Sequence, residues 1–182
     1  ENGFFFFFGG GMAMGSVNGG AFRNLTVRNC EATGGGSGIL LWGGSDLVLE
    51  DSTIESCSGS INGGGLYCYT APVTVRRLTI RDCTCNENGG GIFAGGAVQT
   101  FEDCVVENCD HTGFFVLLGE VTLTDSTIEG NGPTVWLAAG AGFWDGGPHT
   151  VSNTTFTGNT FDGAPTGITA GGGANVTVTE SI

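Results

Sequence analysis

Residues 78–93 read "LTIRDCTCNENGGGIF". Apolar and polar residues alternate through "LTIR", a cysteine closes the run, a polar corner follows, and three glycines lead into a second apolar run. Alternation at period two is the mark of a strand with one face buried. The same order recurs along the chain. Six endings fall under one another: "LTVRNC" (25–30), "STIESC" (52–57), "LTIRDC" (78–83), "CVVENC" (104–109), "STIEGN" (126–131) and "TTFTGN" (154–159). Their last residues are separated by 27, 26, 26, 22 and 28 positions. The middles repeat too, as "GGGSGIL" (34–40), "GGGLY" (63–67), "GGGIF" (89–93), "GFFV" (113–116) and "GIT" (167–169), and "NVTVTESI" (175–182) starts a further line.

Each repeat holds three short apolar runs and no 3.6-residue pattern. In the third repeat they are "GGIF" (90–93), "VQTF" (98–101) and "DCVVEN" (103–108). Three strands per repeat, with length varying at corners, wind into a parallel β-solenoid whose interior is a stack of like residues. The expected fold is therefore all-β: one parallel β-helix over residues 1–182, with about seven rungs of 22–28 residues. One interior column is Val27, Ile54, Ile80, Val106, Ile128 and Phe156; another is Phe22, Leu49, Val75, Phe101, Leu123 and Val151. An open solenoid end is a sheet edge that needs covering. The chain is accordingly expected to be part of a longer β-helix or a subunit that stacks end to end into a filament.

Charge supports the register. The residue after the core aliphatic reads Arg28, Glu55, Arg81, Glu107, Glu129, and five positions earlier the column reads Arg23, Glu50, Arg76, Glu102. Opposite charges alternate from rung to rung, the favourable arrangement for neighbours on a sheet. Four of the five basic residues serve this ladder, and the chain has no lysine. A formal net charge of -13 argues against nucleic acid and against anionic membrane surfaces as partners. No apolar run is long enough to cross a bilayer, so membrane insertion is not expected. Seven cysteines in 182 residues point to an oxidising, extracellular or cell-surface setting.

"FTGN" (156–159) matches the F-x-x-N motif, and "GGGIF" and "GGGLY" resemble the GG-aliphatic motif, of the polymorphic outer-membrane protein repeats. More broadly the chain resembles right-handed parallel β-helix repeat proteins, a class that also holds pectate lyases and polygalacturonases. The resemblance covers nearly the whole chain and is one of architecture. It implies a right-handed coil, a secreted or surface location, and adhesins among the relatives. Cysteine stands where the motif has asparagine in four of six rungs.

That column, Cys30, Cys57, Cys83, Cys109, Asn131 and Asn159, is the first candidate for chemistry. Neighbouring rungs bring α-carbons within disulfide range, so the cysteines either pair (Cys30–Cys57 and Cys83–Cys109) or stay free and buried. Stacked asparagines hydrogen-bond from rung to rung. Cys68 and Cys104 fall on inward positions, and Cys85 falls on a turn where it would pair or remain reactive. There is no CxxC, and His111 and His149 lie on different rungs, so no metal site is expected. Calcium is the one cofactor that the acidic composition leaves open.

Glycoside hydrolysis needs two carboxylates on one face, one with a raised pKa. Here the acids belong to the ladder or to a corner column, Asp51, Asp103 and Asp125, shared with Asn24 and Asn153, for which a turn role is the simpler reading. Arg77 beside Asp51 and Asp103 is the one cluster a lyase would use. A threonine column, Thr26, Thr53, Thr79, Thr127 and Thr155, raises ice binding, but Val105 and the flanking ladder interrupt that face. Sequons place glycans at Asn24, Asn153 and Asn175. The run Phe4, Phe5, Phe6, Phe7 and Phe8 leaves several rings exposed, a contact surface or cap together with Trp144. Trp42, Trp136 and Trp144 are sugar-stacking candidates, and "AAGAGFWDGGP" (138–148) is the expected binding loop. The sequence thus favours a non-enzymatic extracellular structural or adhesive β-helix that self-associates and contacts glycans. The alternative is a polysaccharide lyase or glycoside hydrolase.

Overall fold

The computed structural model describes residues 10–132 and 140–182, together with the backbone of Phe4–Phe5. Among these residues there are strands and turns and no helix. The first face of the coil is a parallel sheet of seven strands, each the start of a rung: Met12–Gly15, Ile39–Trp42, Leu66–Tyr69, Ile92–Gly95, Phe114–Leu117, Ala141–Trp144 and Ile168–Gly171. They pair in sequence order, as a solenoid requires. The second and third faces form one bent sheet of eleven strands, and in two rungs a single strand, Ser45–Glu55 or Val73–Arg81, runs across both. The parallel solenoid inferred from the repeat is the fold observed.

The bend between second and third faces is made by one residue per rung with positive φ. Asn24 (55°), Asp51 (51°), Arg77 (48°), Asp103 (53°), Asp125 (52°) and Asn153 (46°) occupy it. Asparagine and aspartate tolerate the left-handed region because their short side chains bond locally, which is why this column reads N/D. The next corner repeats the device with Asn29, Ser56, Asp82 and Asn108, then Gly130 and Gly158. The "GGG" signature serves the return to the first face. Gly89 has φ +67°, and a Cβ on Gly91 would stand 2.4 Å from Val106 Cγ1 and 2.5 Å from the Gly113 carbonyl. Only glycine lets the chain pass that close to the core.

Both interior columns are seated as the alternation demands. Val27, Ile54, Ile80, Val106, Ile128 and Phe156 are successive register partners. Phe22, Leu49, Val75, Phe101, Leu123 and Val151 are another such series. A third column, Ile39, Leu66, Ile92, Phe114 and Ala141, comes from the first face and is wholly buried. Phe101 meets Phe114 edge-on with centroids 4.8 Å apart, locking second and first faces together. Each large apolar side chain buried this way contributes about 1.5–3 kcal/mol.

The segment expected as a binding loop, residues 138–148, reads differently in the structure. Ala141–Trp144 is a first-face strand paired with Phe114–Leu117, because "AGFW" continues the inward–outward alternation of the rung before it. Residues 138 and 139 lie outside the described residues.

Candidate functional site

The cysteine–asparagine column carries no disulfide: all seven cysteines are free and buried. The expected pairs Cys30–Cys57 and Cys83–Cys109 are therefore not formed in this structure, and the local hydrogen bonding gives a physical reason. At this corner the backbone N–H points inward and needs an acceptor. The side chain one rung on supplies it. Cys109 N–H donates to Asn131 Oδ1 at 2.9 Å, and Asn131 N–H donates to Asn159 Oδ1 at 3.0 Å. Cys57 Sγ likewise accepts from the Cys30 N–H, and Cys83 Sγ from the Cys57 N–H. Thiol and amide are thus interchangeable acceptors for one recurrent donor. The amides add a ladder of their own, Asn131 Nδ2 donating to Asn159 Oδ1 at 2.9 Å.

Thiol chemistry is suppressed at five of the seven cysteines. Hydrogen bonding between Cys57 and Cys83, then burial, pushes the Cys57 thiol far above its usual range. Bonding to Cys109, offset in part by Cys57, does the same for Cys83. Burial raises Cys68, and it raises Cys104 to about 11. Cys85, expected to pair or remain reactive on its turn, is free and buried, and desolvation raises it to about 11. His149 is also a core residue. Its Nδ1 accepts from the Val121 N–H at 3.3 Å and its Nε2 donates to the Asp145 carbonyl at 3.3 Å, while burial lowers its pKa.

The charge ladder forms with one change of partner. Arg76 bonds Glu102 at 3.0 Å and Arg81 bonds Glu55 at 2.6 Å, as the columns predict. Glu50, however, is held by Arg23 and by Arg77 at 3.1 Å. Arg77 sits at the corner itself and also grips Asp51 through Nε (2.6 Å) and Nη2 (3.0 Å), a two-pronged pair. These bonds hold the Glu50 and Asp51 carboxyls below their usual range, Arg23 dominating for Glu50 and Arg77 for Asp51. The Arg77 cluster is therefore an ion-pair network. Among the described residues no three His, Cys, Asp or Glu side chains gather as metal ligands.

The outer side of the first face is different in kind. Leu40, Tyr67, Phe93 and Phe115 are register partners on the side of the strands away from the coil interior, where Leu40, Phe93 and Phe115 are nevertheless buried, with Tyr67 and Phe93 stacked at 4.9 Å and Phe115 5.6 Å beyond. Two residues on, at the corner with the second face, the column reads Trp42, Tyr69, Gly95, Leu117, Trp144, Gly171. Trp42 is 55% exposed and Trp144 36%. Trp144 lies over the glycine of the next rung: a Cβ on Gly171 would be 2.3–2.8 Å from three of its ring carbons. Tyr69 approaches Gly96 in the same manner, 3.3 Å from a Cβ there. Val98 and Leu118 extend this exposed apolar edge. A groove of about 320 Å³ opens beside it on the second face, between Asp46, Pro72 and Val98.

The chain matches the model of the right-handed beta helix region over residues 5–154, most of its length. It belongs to the right-handed β-helix family. No curated protein and no solved structure matches it. The family assignment gives this β-helix its handedness and leaves its activity open.

The remaining candidates of this β-helix are scattered around it. Asn24, Asn153 and Asn175 are all exposed, as are Thr26, Thr155 and Thr177, the third residues of their sequons. Asn24 and Asn153 stand on the second-to-third corner, where Asn153 Nδ2 donates to Asp125 Oδ1. Phe4 and Phe5 pair with Glu31 and Ala32 at the corner leading back to the first face. Phe6, Phe7, Phe8 and Trp136 lie outside the described residues. Sequence reading found Trp42 and Trp144 and missed Tyr67 and Tyr69. Their signal was "LYCY" (66–69), in which two tyrosines flank an inward cysteine and so must both face out.

Proposed function

We propose that this chain is a non-enzymatic, extracellular structural or adhesive β-helix that grips glycans along its aromatic corner. The observation that carries the reading is Trp144 laid over Gly171, with Tyr69 near Gly96 and Trp42 one rung before. Trp144 rests on the backbone of the next rung and is 36% exposed, an aromatic surface suited to stacking on the apolar face of a sugar ring. The rigid coil fixes the spacing of these rings, so little ordering entropy is lost on binding. Support for a non-catalytic role comes from the carboxylates. Those with shifted pKa, Glu50 and Asp51, are shifted downward by arginine, opposite to what a general acid needs.

End-to-end association is part of the same reading. Among the described residues the strand Val176–Thr179 pairs with His149–Ser152 alone, and Val178 is exposed. Light scattering across a concentration series tests it, and a fixed monomer mass at every concentration would count against stacking.

The glycan reading is tested by screening the full chain on a polysaccharide panel and repeating the hits with Trp144→Ala and Tyr69→Ala. Each variant is expected to weaken binding about tenfold, the loss of roughly 1.4 kcal/mol of stacking. Unchanged binding in the double variant would reject the corner as the contact. New reducing or unsaturated ends in the polysaccharide would instead favour the lyase or hydrolase alternative.

A further inference from the structure

The outward side of the second face holds a regular grid of hydroxyls. Three consecutive rungs present the pairs Thr122/Thr124, Thr150/Ser152 and Thr177/Thr179 as register partners. The first column runs back through Thr100 to Thr74, giving five threonines on successive rungs. This is a different face from the threonine column that the repeat brought to notice, which Val105 interrupts and the arginine–glutamate ladder flanks.

We propose that this grid binds the surface of ice. Sheet geometry fixes the hydroxyls at about 4.8 Å from rung to rung and about 6.7 Å along each strand. Threonine is branched at Cβ and holds few rotamers, so the array is set before it meets any ligand. Some hydroxyls elsewhere in this chain are spent on the protein itself. Ser52, Ser126 and Thr154 each donate to the carbonyl two residues earlier. The six grid hydroxyls have no hydrogen-bond partner among the described residues, and the three rung pairs carry no charge. Beyond the groove that Thr74 and Thr100 line, the three-rung grid is an uncharged lattice of hydroxyls and methyls and offers no charge to an ionic partner. It is complementary to another periodic hydrogen-bonding lattice, and crystalline water is one that needs no charge. Glu102, Glu120 and the corner residues Asp125, Asn153 and Glu180 form its rim.

The full chain, produced in a host that adds no N-glycan at Asn175, is assayed for thermal hysteresis and for inhibition of ice recrystallisation. Activity is expected in the unmodified chain and lost in Thr150→Lys at the grid centre. It is expected to persist in Thr79→Lys, which places the same charge on the third face. Equal melting curves for the two variants separate loss of binding from loss of fold. The proposal is overturned if the unmodified chain acts on ice no more than an equal concentration of an unrelated protein. It is equally overturned if Thr79→Lys abolishes activity as fully as Thr150→Lys. Neither result touches the glycan reading, which rests on the neighbouring corner.

Discussion

Asn131→Ala is the sharpest probe of how the corners are held. In the native rung Asn131 Oδ1 accepts the Cys109 N–H at 2.9 Å, and Nδ2 donates to Val106 O at 3.1 Å and to Asn159 Oδ1 at 2.9 Å. The residue is buried, so water does not replace what is removed. Leaving the Cys109 N–H unpaired costs about 1–3 kcal/mol, and the lost amide bonds add about 1 kcal/mol. A total near 3 kcal/mol, in a chain of this size, lowers the melting temperature by about 6–12 °C. Asn131→Cys should be far milder. Its Sγ can accept the same N–H, as Cys83 and Cys57 do two and three rungs earlier in the column's cysteine half, and Asn159 Oδ1 keeps the Asn131 N–H. We expect a loss of about 1 kcal/mol, or about 2–4 °C. Thermal melts followed by circular dichroism, confirmed by calorimetry, measure both. If the cysteine variant melts as low as the alanine variant, acceptor replacement is not what makes the two residue types interchangeable.

Thiol titration should give no reaction in the folded protein and seven free thiols after denaturation in guanidinium; a smaller count after denaturation would mean that disulfides form. Glu50 and Asp51 have folded-state pKa values below their unfolded values, so the unfolded chain binds more protons as pH falls. Their contribution is complete above about pH 4–5 and is lost as pH drops through the folded values. Arg77→Gly, which keeps the positive φ of the corner, should flatten the melting temperature profile between about pH 5 and 2, and an unchanged profile would refute the network. His149 is held neutral by burial, its folded pKa lying below the unfolded one. Stability should therefore decline as pH falls below about 6.5, and His149→Gln should remove that part of the slope in the same melts.

Much of this was legible because a solenoid turns sequence period into spatial adjacency. Once "LTVRNC", "STIESC" and "LTIRDC" are aligned, Val27, Ile54 and Ile80 must stack, and so must Arg28, Glu55 and Arg81. The asparagine and aspartate column at 24, 51, 103, 125 and 153 was readable as a corner for the same reason. What escaped reading depends on side-chain direction at fixed register. Glu50 aligns with both Arg23 and Arg76, and only the geometry of the bend shows that Arg77, one residue on, swings back to take it. The sequence also left the choice between paired and free thiols open. Column spacing satisfies a disulfide, but spacing does not show that an inward N–H already occupies the sulfur. Trp144 over Gly171 is a contact between rungs 27 residues apart, and neither residue is unusual alone.

The acidity of the chain looks at first like a property of a binding surface, and the corners argue otherwise. Eight acids, Asp46, Asp51, Asp82, Asp103, Asp125, Asp145, Asp162 and Glu180, have positive φ. Aspartate is favoured there by backbone chemistry, whatever partner the protein meets. Five more, Glu50, Glu55, Glu102, Glu107 and Glu129, belong to the outward ladder columns. Together these are 13 of the 18 acidic residues. A coil that bends at single left-handed residues accumulates negative charge along its edges, and the ladder columns place more on the second and third faces. Asp46 and Asp145 stand at the aromatic corner, whereas the three-rung threonine grid carries no charge. On a chain with net charge -13 the grid is a place where an uncharged partner meets little electrostatic penalty for losing water.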